Sequence, residues 1–211
     1  MKLCATNLEY LMNYLAHLLL ADKTSNSFLG SLMGDFVKGA VDKTLPEGLR
    51  TAIVQHRRID SFTDAHPVVK RSKNRINPEF RRYAGILVDV FYDHFLATQW
   101  TKFSDEPLTA FTTQVYAHLN QQSHLAPQQM QRTLSYMTHY DLLGSYREID
   151  GIHRALCGIE GRLKRPSQLG RAIIELQQNH SELLIDFLDF FPELVQFVIA
   201  DSATLKESAA G

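Results

Sequence analysis

Two cysteines, Cys4 and Cys157, are the only thiols in 211 residues, so no disulfide framework is available. Such sparse usage suits a reducing compartment, with one bridge the most that can form. Net charge is also nearly missing. Lys and Arg number 22 against 23 Asp and Glu, which removes a strong expectation of nucleic acid as the main partner. No apolar run approaches the ~20 residues that a membrane span needs. The opening "MKLCATNLEYL" lacks the longer apolar region and small-residue cleavage site of a secretory signal. The expected address is therefore the cytoplasm, with no membrane partner. Alternating strands, hairpin turns, internal repeats and low-complexity linkers are absent as well.

What is present is helical patterning. The chain is 45% apolar and 21% charged, the balance of an ordinary globular protein. "MNYLAHLLLA" predicts a short helix ending near Asp22, and the polar "DKTSNS" offers caps for the next one. "FLGSLMGDFVKG" reads as a helix ending at Gly39. Pro46 opens a long helix to about Ala65, and Pro67 follows it. Residues 68–76 are basic, and Pro78 opens a helix continuing to about Trp100. Further helices are expected at 107–121, 127–143 and 145–162, with a long one from 166 to about 199, interrupted near Pro192. One all-α domain over residues 12–200 is expected, with flexible ends at 1–11 and 201–211 and Met12 as an alternative start.

Several polar residues fall on apolar faces. At about 100° per residue, with His56 at zero, Leu49 lies near 20°, Asp60 near 40° and Ile53 near 60°. His56 and Asp60 therefore share the apolar stripe, and Asp64 lies at its edge. Arg57 sits near 100° and Arg58 near 200°, roughly opposite. A buried carboxylate needs a cation, a salt bridge or several donors. One His–Asp pair has two readings, a core hydrogen bond or a pair of ligands. The anomaly recurs, however. Asp89 and Asp93 share a face of "GILVDVFYDHFLATQW", a segment apolar almost all round, with His94 next to them. Asp35 falls beside Phe28 and Leu32, and His17 stands in an otherwise oily stretch. Two His and four Asp on four successive segments favour a metal. Their oxygen and imidazole donors suit Mn2+, Mg2+ or Fe2+ better than a thiolate-bound zinc site.

"MNYLAHLLLA", "GSLMGDFVKG", "HRRIDSFTDAHP" and "ILVDVFYDHFLATQW", in that order, resemble the signature blocks of the bacterial acyl carrier protein phosphodiesterases, over residues 12–100. The resemblance is weaker beyond them. It implies an HD-phosphohydrolase-like helical bundle, activated by Mn2+, that removes 4′-phosphopantetheine from holo acyl carrier protein. The sequence departs from the usual HD spacing: His56 and Asp60 are one turn apart, and the adjacent pair is reversed as Asp93-His94.

On this resemblance the expected ligands are Asp35, His56, Asp60, Asp89 and Asp93, with His17 close behind. Six groups exceed one ion's needs, so either two ions bind or some of them orient the true ligands. His94 is expected as general acid for the serine oxygen, or as a further ligand. Arg57 is expected to hold phosphate oxygens; Arg58 and Lys38 can reach phosphate or serve helix neighbours. The basic run containing Lys70, Arg71, Arg81 and Arg82 is expected either to dock the acidic carrier protein or to be a solvated face. Competing readings are an HD-type hydrolase of a nucleotide or small phosphodiester, and a non-catalytic module that binds the carrier protein.

Overall fold

The segment "AGILVDVFYDHFLAT" has apolar residues on every side, and a helix of that kind has no face to give to water. It forms α5 (Ala84–Thr98), with all of its residues from Ile86 to Ala97 buried. The other elements surround it. The structure is a computed structural model describing residues 14–163 and 167–209, with side chains up to 202. The expected flexible segment 1–11 and Met12 lie outside those residues.

Before α5 come α1 (Tyr14–Leu19), α2 (Ser25–Met33), α3 (Glu47–Ala65) and α4 (Pro67–Arg75), then a 3-10 turn at Pro78–Tyr83. After it come α6 (Leu108–Gln122), α7 (Gln128–His139), α8 (Leu142–Ser145), α9 (Ile149–Glu160), α10 (Ile173–Gln178) and α11 (His180–Ala209). Among the described residues there is no strand, and the fold is a single all-α domain. α5 packs on α1, α4, α9 and α11, while α2 packs chiefly on α3. One apolar core runs through these contacts, with Phe28, Phe91, Phe95, Phe187 and Phe191 all essentially inaccessible.

Local chemistry accounts for most boundaries. Thr24 rather than Asn or Ser caps α2, its hydroxyl accepting from the Ser27 amide at 3.2 Å. Pro46 and Pro67 bracket α3 as expected. Several boundaries differ from the sequence reading. α2 stops at Met33, not Gly39; the amides of Phe36 and Val37 both turn back to the Met33 carbonyl, so Asp35 stands in a turn. The expected interruption at Pro192 falls instead at Asn179, where the side-chain amide donates to the Glu175 carbonyl between α10 and α11. Pro192 lies inside α11, where Phe187, Phe190, Phe191 and Leu194 bury the helix around it. The helix also continues past residue 199 to Ala209.

α2 and α3 approach closely because α2 offers no side chain at the crossing. A β-carbon at Gly30 would lie 2.6 Å from the Leu49 carbonyl oxygen and from the Ala52 β-carbon. Gly30→Ala should therefore force the two helices apart and destabilise the protein by about 1–3 kcal/mol, the usual cost of overpacking. Denaturant melts check this: a midpoint equal to that of the native chain would mean that the contact is not constrained.

Candidate metal centre

Three elements deliver the centre. α1 brings His17, the turn after α2 brings Asp35, and α3 brings His56 and Asp60. Glycine is required at position 34 because a β-carbon there would lie 2.1 Å from the His56 ring. The ring packs against that bare backbone and is then oriented by α2. His56 Nδ1 lies 2.6 Å from the Ser31 carbonyl oxygen, which can only accept, so Nδ1 carries the proton and donates. Nε2 is left to face inward. The His17 and His56 rings stack, with centroids 4.1 Å apart and planes 21° apart.

The Asp60 carboxylate spans the two rings, with Oδ1 3.1 Å from His17 Nε2 and Oδ2 3.1 Å from His56 Nε2. Asp35 Oδ1 is 3.3 Å from the same His56 nitrogen. His17 Nε2, His56 Nε2, Asp60 Oδ1 and Asp35 Oδ2 are all buried without a hydrogen-bond partner. Buried polar atoms are almost always satisfied, and leaving them bare is costly. Ligand atoms from His17, His56 and Asp60 lie within 4.8 Å of one another, so their lone pairs can converge on one ion. The residues fit a divalent cation, and His17, His56 and Asp60 can hold one. Asp60 is 24% exposed while His17 and His56 are nearly sealed, so the centre opens on the Asp60 side.

Without a cation, protons redistribute. Burial opposes charge on His56, but the Asp35 and Asp60 carboxylates outweigh it and raise its pKa to about 10. His17 moves down, through burial first and His56 second, against the pull of Asp60. Burial pushes the Asp60 pKa up, yet the two imidazoles hold it well below the usual carboxylate range.

The other expected residues have different surroundings. Asp93 accepts from the Leu15 and Ala16 amides at 2.9 and 3.0 Å, so both of its oxygens anchor the start of α1. Burial still raises its pKa to about 7, against those two donors. Asp89 is buried one turn earlier on α5 and makes no hydrogen bond among the described residues. Burial lifts its pKa well above normal, with Asp60, Asp64 and Asp93 adding to the shift and Lys73 opposing it. His94 donates from Nδ1 to the Tyr146 carbonyl at 2.8 Å and packs against Phe95 and His180, none of them in the cluster. Its pKa is lowered, mainly by burial.

Arg57 donates to the Val37 and Gly39 carbonyls at 2.7 and 2.8 Å, pinning the loop that follows Asp35. Arg58 pairs with Asp201, on the far side of α3 as its angle implies. Lys38 is exposed in the loop, and Lys70, Arg81 and Arg82 are exposed on and after α4. Arg71 pairs with Asp186 and Asp189, Arg75 with Asp186, and Lys73 with Asp64. Ser31 and Gly34 were not singled out by the sequence reading. The only trace of Gly34 there is a glycine directly before the anomalous Asp35.

This architecture defines a class: an all-helical domain with a buried His–Asp centre suited to a divalent ion. The profile of the acyl carrier protein phosphodiesterase family matches residues 12–194, and the chain belongs to that family. It is 37% identical to the acyl carrier protein phosphodiesterase of Enterobacter sp. (strain 638), over 87% of this chain and 96% of the relative. Identity is 33% to that of Serratia proteamaculans (strain 568) and 35% to that of Escherichia coli O6:H1, each over 88% of this chain and 96% of the relative. No solved structure gives a significant match.

The cation and the His56 proton compete for one nitrogen. In the cation-free protein the folded pKa of about 10 lies above the ordinary 6.5. The resulting stability is fully present below pH 6.5 and is lost as pH rises through about 10. Mn2+ should therefore stabilise the chelator-treated protein little near pH 6 and progressively more up to pH 9. Its affinity should rise by as much as about tenfold per pH unit. Thermal melts with and without Mn2+ test this; a shift independent of pH, or one retained in Gly34→Ala, would count against the centre.

Proposed function

We propose that this protein is a divalent-cation-dependent phosphodiesterase that removes 4′-phosphopantetheine from holo acyl carrier protein in the cytoplasm, with Mn2+ as its activating ion. One observation carries the reading: in a member of this family, His17, His56 and Asp60 bring ligand atoms within 4.8 Å of one another, and His17 Nε2, His56 Nε2 and Asp60 Oδ1 are buried without hydrogen-bond partners.

The chemistry requires such a space. A phosphodiester between a serine oxygen and a pantetheine arm repels an incoming hydroxide, and serine alkoxide leaves poorly. A divalent ion, when bound, supplies Lewis acidity that shields the phosphoryl oxygens and acidifies water. The chain's own residues supply position and charge balance. Ser31 fixes the His56 tautomer so that a lone pair rather than a proton faces inward. Stacking against His56 fixes the His17 ring, and Asp93 fixes the backbone just before it. Asp35 and Asp60 provide the negative charge that offsets a dication, with Arg57 steadying the loop that carries Asp35. Asp60 stands at the open side, where the substrate's phosphate enters. The donor set matches the HD phosphohydrolases in kind, with the spacing altered.

His94 has its Nδ1 committed to Tyr146 and no contact with the cluster, which counts against the role of general acid. Arg57 likewise spends its guanidinium on backbone carbonyls, which favours a positioning role over a phosphate grip.

Incubation with holo acyl carrier protein and Mn2+ should lower the carrier's mass by that of the phosphopantetheine arm. Asp60→Ala and His56→Ala should each lose bound metal and more than about 100-fold in rate, beyond what loss of an orienting partner costs. His94→Gln should retain most of the rate. An unchanged carrier mass with folded protein and Mn2+ present, or full activity in Asp60→Ala, would sink the proposal.

A further inference from the structure

A cavity lies beside α5 and the start of α1. It has a volume of about 290 Å³, just below the ~300–1,000 Å³ usual for small-molecule sites. Val90 from α5, Leu142 from α8 and Ile159 from α9 give it apolar walls, and Tyr14, Tyr146 and the buried Asp93 add polar groups. Three arginines complete the lining: Arg132 on α7, Arg154 on α9, and Arg162 just beyond it. All three are exposed and therefore stand at its mouth. Among the described residues Arg132 and Arg154 meet no carboxylate, and Arg162 donates to the Gly158 carbonyl of its own segment.

Two observations connect this cavity to the centre. Asp93 lines the cavity and, through its oxygens, holds the amides two and one residues before His17. Tyr14 also lines it, and its hydroxyl feels Asp35 of the centre as well as Arg162 at the mouth. The cavity therefore borders the start of the helix that carries His17. The second connection is one of charge. On α4, Arg71, Lys73 and Arg75 are matched by Asp186, Asp189 and Asp64, so much of the expected docking charge is spent internally. The arginines of α7 and α9 keep theirs.

We propose that this cavity seats the pantetheine arm of the substrate, and that Arg132, Arg154 and Arg162 around its mouth meet the acidic surface of the carrier protein. The inference rests on the hydrolase reading above. It places the productive face on α7 and α9 rather than on α4. The arm, a narrow chain with a few amides and an apolar middle, matches walls that are mainly apolar with a few polar groups. An acidic partner matches a rim of unmatched guanidinium groups, which also steer its approach.

Calorimetric titration of the full chain, with chelator present so that nothing turns over, tests this with two forms of one carrier. Holo carrier bears the arm and apo carrier lacks it. Holo should bind at least tenfold tighter than apo. Ala155→Trp, which fills the cavity, should erase that preference and leave apo binding in place. Where that variant misfolds by circular dichroism, Gly158→Leu takes its place, since a β-carbon there meets nothing within 4 Å. Arg132→Glu with Arg154→Glu should weaken both forms tenfold or more, whereas Lys70→Glu with Arg82→Glu should change them less than twofold. A holo preference that survives filling, no preference in the native chain, or a larger loss from the α4 pair would each overturn the proposal. The Mn2+ turnover assay runs in parallel. An unchanged carrier mass there defeats the hydrolase reading alone, because the binding arms still decide what the cavity holds.

Discussion

The contact between α2 and α3 is the constraint on which the rest depends. Two glycines one helical turn apart remove side chains from the crossing, and each is filled by something specific. At Gly30 the space goes to the α3 backbone, and at Gly34 it goes to an imidazole. Because the ring is pressed against α2, the Ser31 carbonyl can reach Nδ1 and decide which nitrogen keeps its lone pair. Because α2 ends there, the chain turns and places Asp35 beside that lone pair. A packing feature and an electrostatic one therefore have a single cause. Any change that widened the crossing would loosen the ring and its tautomer together.

α5 performs the complementary task from the other side. A helix buried all round cannot carry acids without a use for each, and its acids have different ones. Asp93 gives both oxygens to the first amides of α1, the position where a helix has donors to spare. Asp89 has no such donors and sits within the field of Asp60. Their unlike surroundings explain how two carboxyl groups one turn apart persist in a core: one is satisfied by backbone amides, and the other is pushed by burial toward its neutral form. Asp93 also lines the neighbouring cavity, so one side chain of α5 joins that cavity to the start of the helix that carries His17.

Much of this was legible in the sequence. The 3.6-residue period of α3 put His56 and Asp60 on the buried stripe, and α5 announced its burial by having no polar face. The oily stretch of α1 made His17 conspicuous. Periodicity, though, gives an angle and not a partner. Asp89 and Asp93 look equivalent by angle, and only the fold shows that α1's amides claim one of them. The angles set Arg57 and Arg58 on different sides of α3, but they could not show that Val37 and Gly39 bind the first and Asp201 the second. Gly39 is the more familiar stop signal, whereas α2 ends at Met33, where the amides of Phe36 and Val37 turn back to one carbonyl.

Charge illustrates the same limit more sharply. A net charge of −1 conceals a strongly uneven arrangement. The basic run on α4 was the most visible cluster in the sequence, but the acids that meet Arg71 and Arg75 lie more than a hundred residues away on α11. Asp186, itself fully buried, takes both Arg71 and Arg75, with Ser72 supplying a further hydrogen bond. That network holds α4 to α11 and so belongs to the fold. The arginines of α7 and α9 are scattered singly along the chain and form no run, yet folding gathers them around one opening. A local density of like charge thus became internal glue, while a dispersed set became a surface field. Which bases of a run keep their charge free depends on acids that folding brings to them, and here Lys70, Arg81 and Arg82 remain exposed.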